Sequence, residues 1–557
     1  PTAPSLLYEI HLRSPSLDVA GVTIPGLPVF WAGRNLNLAW AAIPVGAVTV
    51  DLFQETVRES DGTYHDGERW VKLEESRESI RVATATGWRE ESWPVRATRH
   101  GPLLDGLVAE ASSSTTGAPE ATESRSRAAL SLAWTGMRPG NGIASLLGVA
   151  RAREASELVD ALESHHEPVL AVVYADQKGA AGMQMAGWLP RRTLPSSLVP
   201  VPGRMRIYDW RGPIPFPELP IVRLDPSAQG PGLSERAWVA VADGSLAQGL
   251  SRAEIEWSWQ PGVRLRRLER LLAELTSGDP DGPPGSPNAR RLGLRKAVDL
   301  ARDVRDMEAA EVVPALMRLA QQGPPLRPEA EEIVQILSLW DGNLSISSQG
   351  ATAYAVLIQA IFEALFRPVL GDALLQRYLE LPGVRPQSLV ARVLVVADRR
   401  MEPGGWTDRA RITQAVHDAL RKTWVVLSHR LGPDREGWEW GRLHGLAFQP
   451  FSPEAADSDG LEVVGTAGGD ATLAATGFGV SKDFRTQRAS LYRMAVDLSA
   501  PDRMLTVLAP GQSEFPRSPH FDDGIERWRE GRPGLLLTSR LLVEDEVGSK
   551  LLLEPSQ

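Results

Sequence analysis

The sequence predicts an α+β fold, because strand-like segments at both ends of the chain flank a helical middle. From Leu6 to about Leu107, short alternating or β-branched runs are broken by Gly and Pro, with no helical pattern between them. After Arg264 the apolar residues follow helical spacing, in amphipathic stretches that continue to about residue 432. From about Gly437 strand patterns return, so segments distant in sequence are expected to share sheets.

These patterns divide the chain into a β-rich part (1–262), a mainly helical part (263–435) and a second β-rich part (436–557). The predicted strands are Tyr8–Leu12, Val19–Ile24, Val48–Thr56, Ser79–Ala85, Val169–Asp176, Gly182–Trp188, Ala237–Ala242, Leu491–Leu498 and Met504–Leu508. The predicted helices follow Arg264 and cover about 297–320, 329–340, 351–367 and 409–432.

Composition excludes several classes of function. The 557 residues include 60 basic and 70 acidic side chains, and this net charge of -10 argues against nucleic acid as a partner. The absence of cysteine excludes disulfides, thiolate metal sites and cysteine nucleophiles. No run approaches the roughly 20 apolar residues that span a bilayer, and Pro1–Pro4 has no signal-peptide pattern, so we expect no membrane span and a processed or trimmed start.

A series of motifs along the whole chain resembles the large subunit of the penicillin acylase family, in the same order. The motifs are Ala3–Leu12, Asp18–Pro28, Gly33–Asn35, Ala39–Trp40, Arg99–Pro102, Val173–Asp176, Gly187–Arg192, Leu339–Gly342, Trp438–His444, Gly511–Ser513 and Ser518–Asp523. The resemblance implies an αββα sandwich of N-terminal nucleophile hydrolases, with an inserted helical region. It also implies a small subunit cut from the same precursor, an acylated small-molecule substrate, and a periplasmic or secreted location.

The family's nucleophile is the serine that begins its large subunit, with its own α-amino group as base. The Ala3–Leu12 motif resembles a segment some two dozen residues inside that subunit, so Ser5 is not a candidate nucleophile. Either the nucleophile strand belongs to a part of the precursor outside this chain, or the natural protein lacks it. The first is favoured, because losing that strand would leave backbone donors of a core sheet unpaired. A catalytic amine at Pro1 is a third, weaker alternative.

The resemblance also places an oxyanion hole, and both of its expected donors are altered. The backbone donor falls on Pro44, which has no N–H, unless the register slips by one residue to Val45. The family's asparagine falls on Asp243, whose ionised carboxylate can only accept hydrogen bonds. Arg264 matches the supporting arginine and is retained; we expect it to pair with Asp243.

Two further sites follow from the resemblance. Trp31 and Ala42 match residues that line the acyl-binding pocket, although Trp31 could equally be a core residue. A possible structural calcium would use positions Val50, Asp51 and Glu254, but an earlier aspartate is replaced by Val48, so we expect no stoichiometric calcium. No other cofactor is expected.

The sequence therefore predicts a penicillin acylase-like N-acyl amide hydrolase subunit that is inactive as this chain stands. The alternative is a degenerate acylase that serves as a non-catalytic binding or structural subunit. The combined changes at Pro44, Val48 and Asp243 make this alternative a serious rival.

Overall fold

The computed structural model describes residues 2–104, 126–195, 199–224, 238–242, 262–276, 293–381, 385–399, 408–450, 463–478, 483–546 and 548–552. Strands dominate the first part. They are β1 (Thr2–Ala3), β2 (Tyr8–Ser14), β3 (Leu17–Thr23), β4 (Ala32–Arg34), β5 (Leu38–Pro44), β6 (Val50–Arg58), β7 (Thr63–Asp66), β8 (Arg69–Lys72), β9 (Glu74–Thr84), β10 (Gly87–Thr98), β11 (Gly101–Pro102), β12 (Ser126–Trp134), β13 (Leu170–Asp176), β14 (Ala181–Ala186), β15 (Val201–Pro202) and β16 (Ile221–Leu224). Two helices, α1 (Gly142–Arg151) and α2 (Ala155–Glu163), precede β13.

Helices fill the middle of the chain, and short strands return after them. The helices are α3 (Val263–Thr276), α4 (Leu294–Leu300), α5 (Met307–Ala320), α6 (Pro328–Ser338), α7 (Gln349–Glu380), α8 (Pro386–Arg399) and α9 (Arg409–Leu431). The last part contains α10 (Trp440–Leu443), β17 (Gly445–Leu446), β18 (Gln449–Pro450), β19 (Val464–Gly465), β20 (Thr476–Gly477), β21 (Arg488–Ala489), β22 (Tyr492–Val496), β23 (Met504–Leu508), α11 (Gly524–Glu530), β24 (Gly534–Leu536) and α12 (Arg540–Glu546).

The main sheet has seven strands in the order β16-β14-β13-β5-β4-β3-β2, and all neighbours are antiparallel. Alternation along β5 and β13 directs Trp40 and Leu170 to one face of this sheet. There they pack in one apolar cluster with Leu146 of α1 and Leu158 of α2. All four side chains are at most 3% exposed, so α1 and α2 form the helical layer over this face.

The opposite face of the main sheet meets the sheet formed by β22, β23 and β24. The Glu9 side chain of β2 hydrogen-bonds Thr506 of β23. The buried Arg34 donates to Thr538, and its guanidinium lies 3.5 Å from Asp18 and 3.7 Å from Asp502. Polar contacts therefore join strands from the two ends of the chain, as the α+β prediction requires. A separate sheet of β12, β6, β7 and β8, with β15 beside β6, and the β9–β10 ribbon complete the first part.

The helical part has its own core. Helix α7 is long and apolar enough to cross a membrane, but 61% of its apolar window is buried inside the protein. Leu357 and Ile361 of α7 pack in one cluster with Leu316 of α5, Leu394 of α8 and Leu420 of α9. This burial is typical of the central helix of a core rather than of a lipid-facing segment.

Several elements differ from the sequence predictions. Residues 238–242 of the predicted strand Ala237–Ala242 form no strand, because Val239 and Val241 pack onto the face of the main sheet instead of pairing with its edge. The predicted helix over 297–320 is broken, since Asp306 caps α5 by accepting hydrogen bonds from the Glu308 and Ala309 N–H groups. Helices α1, α2 and α8 and strands β5, β10 and β12 are among the elements that were not predicted.

His444, which lies in one of the family-like motifs, is fully buried. One ring nitrogen lies 2.8 Å from the Phe484 carbonyl oxygen, and the other lies 3.2 Å from Thr476 Oγ1 and 3.1 Å from Thr486 Oγ1. Burial penalises the imidazolium and lowers the pKa of His444 to about 4. The folded protein therefore holds this histidine neutral.

Because unfolded His444 takes up a proton below about pH 6.5 and folded His444 does not, stability should fall as pH drops from about 6.5 to 4. We expect this histidine to account for up to about 3 kcal/mol of that loss. Urea unfolding at pH 7 and pH 4.5 should show a smaller pH effect in His444→Gln than in the unmodified protein. His520→Gln, at an exposed histidine, is the control. An equal pH effect in all three proteins would contradict the prediction.

Candidate functional site

One end of the main sheet brings together three of the predicted site residues. Ala42 and Pro44 are two positions apart on β5, so their side chains point to the helix-covered face. The Ala42 N–H donates to the Trp31 carbonyl oxygen at 2.7 Å. The Trp31 and Ala42 side chains pack against the same apolar cluster, and Pro44 is exposed at the end of the strand. Trp31, Ala42 and Pro44 thus form one neighbourhood beneath the helical layer.

The backbone at the end of β5 distinguishes the two possible oxyanion donors. The Val45 N–H donates to the Val169 carbonyl oxygen at 3.2 Å and therefore continues the ladder with β13. Since N–H groups alternate sides along a strand, a donor at residue 44 would point the other way, to the side where Ala42 meets Trp31. Pro44 has no N–H to present there. Neither residue 44 nor residue 45 offers a free backbone donor.

The side chain of Val45 lies on the opposite face of the main sheet. It packs with Ala171, Met183 and Val241, so the segment that leads into residue 243 lies against this face. Asp243 and Glu254 are outside the described residues, and their predicted roles remain predictions.

Arg264 lies in the first turn of α3 and is partly buried. Its predicted pairing with Asp243 involves a residue that the structure does not describe. One turn later, Arg267 makes a bidentate pair with Asp303, with Nε–Oδ1 and Nη2–Oδ2 distances of 3.0 Å and 2.6 Å. This second arginine fixes α3 against the segment before α5.

The predicted calcium position is occupied by an internal cation. The Asp51 carboxylate accepts from Arg192 Nε at 2.8 Å and from Trp210 Nε1 at 2.6 Å. Arg192 Nη2 also donates to the Val48 carbonyl oxygen at 2.8 Å. A divalent cation would have to displace this guanidinium, and Val50 adds no side-chain oxygen, so the residues around Asp51 do not fit a calcium site. Within the described ranges, no group of three or more His, Asp or Glu side chains could hold a metal ion.

A buried cluster that the sequence did not predict surrounds His100. Its Nδ1 lies 2.7 Å from the Glu55 carboxylate, which also accepts from Ser131 at 2.8 Å and Thr98 at 2.9 Å. His100 Nε2 lies 3.1 Å from Asp209. Burial raises the pKa of Glu55, but its hydrogen bonds with His100, Ser131 and Thr98 outweigh burial and lower it. The cluster joins β6, β10, β12 and the segment after β15, so we interpret it as a structural clamp.

A cavity of about 770 Å³ opens between the edge of the main sheet and β23. Its walls include Ser5 and Glu9 from the first motif and Gln512 and His520 from the last motifs. Two sequence motifs from opposite ends of the chain therefore meet at one cavity. The register of β2, β3, β4 and β5 places Ser5 at the same end of the main sheet as Pro44.

Glu9 is a partly buried ionisable group that lines this cavity. Gln512 bridges to its backbone, because the Glu9 N–H donates to Gln512 Oε1 at 3.3 Å and Gln512 Nε2 donates to the Glu9 carbonyl oxygen at 3.2 Å. Burial raises the pKa of the Glu9 carboxyl despite Thr506 and Arg527 nearby. Glu9 Oε1 is buried and has no hydrogen-bond partner within the described structure.

The chain belongs to the penicillin amidase family, because the sequence model of that family matches residues 1–544. A solved structure, the thermostable penicillin G acylase from Alcaligenes faecalis, superposes with a TM-score of 0.70 at 18% sequence identity, covering 100% of this chain and 95% of that one. The fold is therefore the N-terminal nucleophile hydrolase sandwich, as predicted.

Two curated relatives are named as acylases. The acyl-homoserine lactone acylase QuiP of Pseudomonas aeruginosa is 27% identical over 562 residues, with 95% of this chain and 62% of the relative covered. The penicillin acylase 2 proenzyme of a Pseudomonas species is 25% identical over 538 residues, with the same coverage. The chain thus spans about 62% of the length of these relatives.

We expect EDTA to leave the thermal unfolding midpoint unchanged, because Arg192 already supplies the positive charge beside Asp51. Arg192→Leu should lower the unfolding free energy by about 3–5 kcal/mol, since it leaves a buried carboxylate without its cation. Arg191→Leu is the matched control, because Arg191 pairs with Glu218 at the surface. Thermal unfolding with EDTA and with excess calcium tests both expectations. A lower midpoint in EDTA would contradict the first.

Proposed function

We propose that this chain is the large-subunit part of an N-acyl amide hydrolase and that it is inactive as it stands. Its membership of the penicillin amidase family and the names of its relatives support this reaction class. The proposed substrate is an acylated small molecule, such as an acyl-homoserine lactone or a β-lactam. The nucleophile and a small subunit would come from other parts of the same precursor, and the protein would work in the periplasm or outside the cell.

The end of β5 is the observation on which the proposed inactivity rests. Amide hydrolysis passes through a tetrahedral intermediate whose oxyanion needs preorganised donors. Pro44 has no N–H, and the Val45 N–H is used by Val169. Losing one such donor typically costs about 10²–10³ in rate. Asp243, at the position of the family's asparagine, would add a negative charge where an amide donor is needed.

The acyl pocket would lie at the same end of the sheet, beside Trp31 and Ala42. Trp31 would narrow it, and its buried indole N–H has no acceptor in the part of the chain that the structure describes. That N–H is a candidate donor to a polar atom of a bound acyl group.

The absence of a free backbone donor at residues 44 and 45 also favours a second candidate. This candidate is a degenerate acylase that binds an acylated ligand without hydrolysing it. Binding of an acyl group beside Trp31 and Ala42 would not need an oxyanion hole. The two candidates therefore share a binding site and differ in turnover.

Turnover of a chromogenic acyl-anilide by the intact protein separates the candidates. Pro44→Ala restores a backbone N–H at the strand end, so it should raise kcat by about 10²-fold if the missing donor limits an otherwise complete enzyme. A second variant combines Pro44→Ala with Asp243→Asn and should raise kcat further.

Pro328→Ala, at the first turn of α6, controls for removal of a proline elsewhere and should not change kcat. An active natural protein whose kcat is unchanged by Pro44→Ala would refute the role proposed for residue 44. No turnover by any variant, together with saturable binding of the anilide, would support the binding subunit.

A further inference from the structure

A second cavity, of about 330 Å³, lies on the other side of the β22–β24 sheet from Glu9. Tyr492 and Arg493 are successive residues of β22, so they point to opposite faces. The phenol of Tyr492 interacts electrostatically with Glu9 and so lies on the Glu9 side of the sheet. Arg493 lines the second cavity on the other side, together with Arg302 and Arg529. This cavity is therefore separate from the first cavity, which Glu9 lines.

Arg493 is the central group of this cavity. One of its terminal nitrogens, Nη1, donates to the Trp528 carbonyl oxygen at 3.1 Å, and the guanidinium lies 5.4 Å from the centre of the Trp528 ring. These contacts cap the end of α11, but they leave Arg493 Nε buried without an acceptor. Among the residues that the structure describes, no carboxylate lies within ion-pair distance of Arg493.

The neighbouring arginines add positive charge rather than neutralising it. Arg302 packs against Gly531, close to Trp528, and its nearest carboxylate, Asp299, is 3.8 Å away and 61% exposed. Arg529 pairs with Glu526 at 3.1 Å, so it is partly compensated. Burial and the nearby Arg302 together lower the pKa of Arg493 to about 10. A partly buried guanidinium without a carboxylate partner is costly, and a bound anion would offset that cost.

We propose that this cavity binds a small organic anion through a phosphate or carboxylate group held by Arg493 and Arg302. Guanidinium groups bind both kinds of oxyanion in a bidentate manner. The hydroxyl-bearing Ser345 and Ser347 also line the cavity and can donate to the same oxygens. The apolar Ile346 and Val304 lie beside them, so the ligand would carry a short non-polar portion next to its charged group.

Isothermal titration calorimetry on the intact protein tests this proposal, with inorganic phosphate, glycerol phosphate and succinate as probes. We expect at least one probe to bind one site per chain, with a Kd on the order of 1 mM or tighter. Tighter binding of the two phosphates would identify a phosphate site, and tighter binding of succinate a carboxylate site.

Arg493→Gln should weaken binding at least about 10-fold, as expected for loss of a charge-assisted hydrogen bond. Arg302→Gln, at a half-exposed position, tests the same site with less risk to folding. Arg540→Gln, on the exposed face of α12, should bind like the natural protein. No saturable binding of any probe, or binding by the Arg302 and Arg493 variants that equals that of the natural protein, would overturn the proposal.

Discussion

The backbone ladder between β5 and β13 is the constraint on which the candidate site depends. It fixes the register from Leu38 opposite Asp176 to Pro44 opposite Leu170. That register decides which N–H groups at the strand end point towards β13 and which point towards the side of Trp31 and β4. A one-residue shift would exchange the two sets and move the Trp40 side chain out of the core. Because Trp40 is 2% exposed and packs under α1 and α2, the core itself opposes such a shift.

Much of the fold follows from local sequence patterns. Period-two alternation identified strands such as β2, β3, β6, β13 and β23 but missed β10 and β12, and helical spacing identified most of the middle of the chain. The family-like motifs then placed the two ends of the chain in one sandwich, where Ala3–Leu12 and Gly511–Asp523 meet at the large cavity. The division at residues 262 and 435 remains a prediction. The strand predicted over 237–242 was wrong for residues 238–242, because their apolar side chains pack on a sheet face without pairing, and alternation alone cannot distinguish the two arrangements.

The features of the site that could not be predicted from the sequence are polar contacts between residues far apart in the chain. Nothing near Asp51 in the sequence indicates that Arg192 will sit beside it, and their pairing changes the interpretation from a weakened metal site to an internal ion pair. Glu55, His100 and Asp209 are likewise far apart in the chain and become one cluster only after β6, β10 and β12 fold together. The two-residue alternation along a strand predicts which face of the sheet a side chain lies on, but it does not predict the residue that the side chain contacts from a distant part of the chain.

Hydrogen exchange at the Val45 amide tests most directly whether the end of β5 lacks a free donor. If the Val45 N–H is held by Val169, it should exchange as slowly as the amides in the middle of β5, because both open only when the ladder opens. Exchange of the Val45 amide at the rate of an unprotected loop would contradict the account. The donor would then be available to a bound substrate.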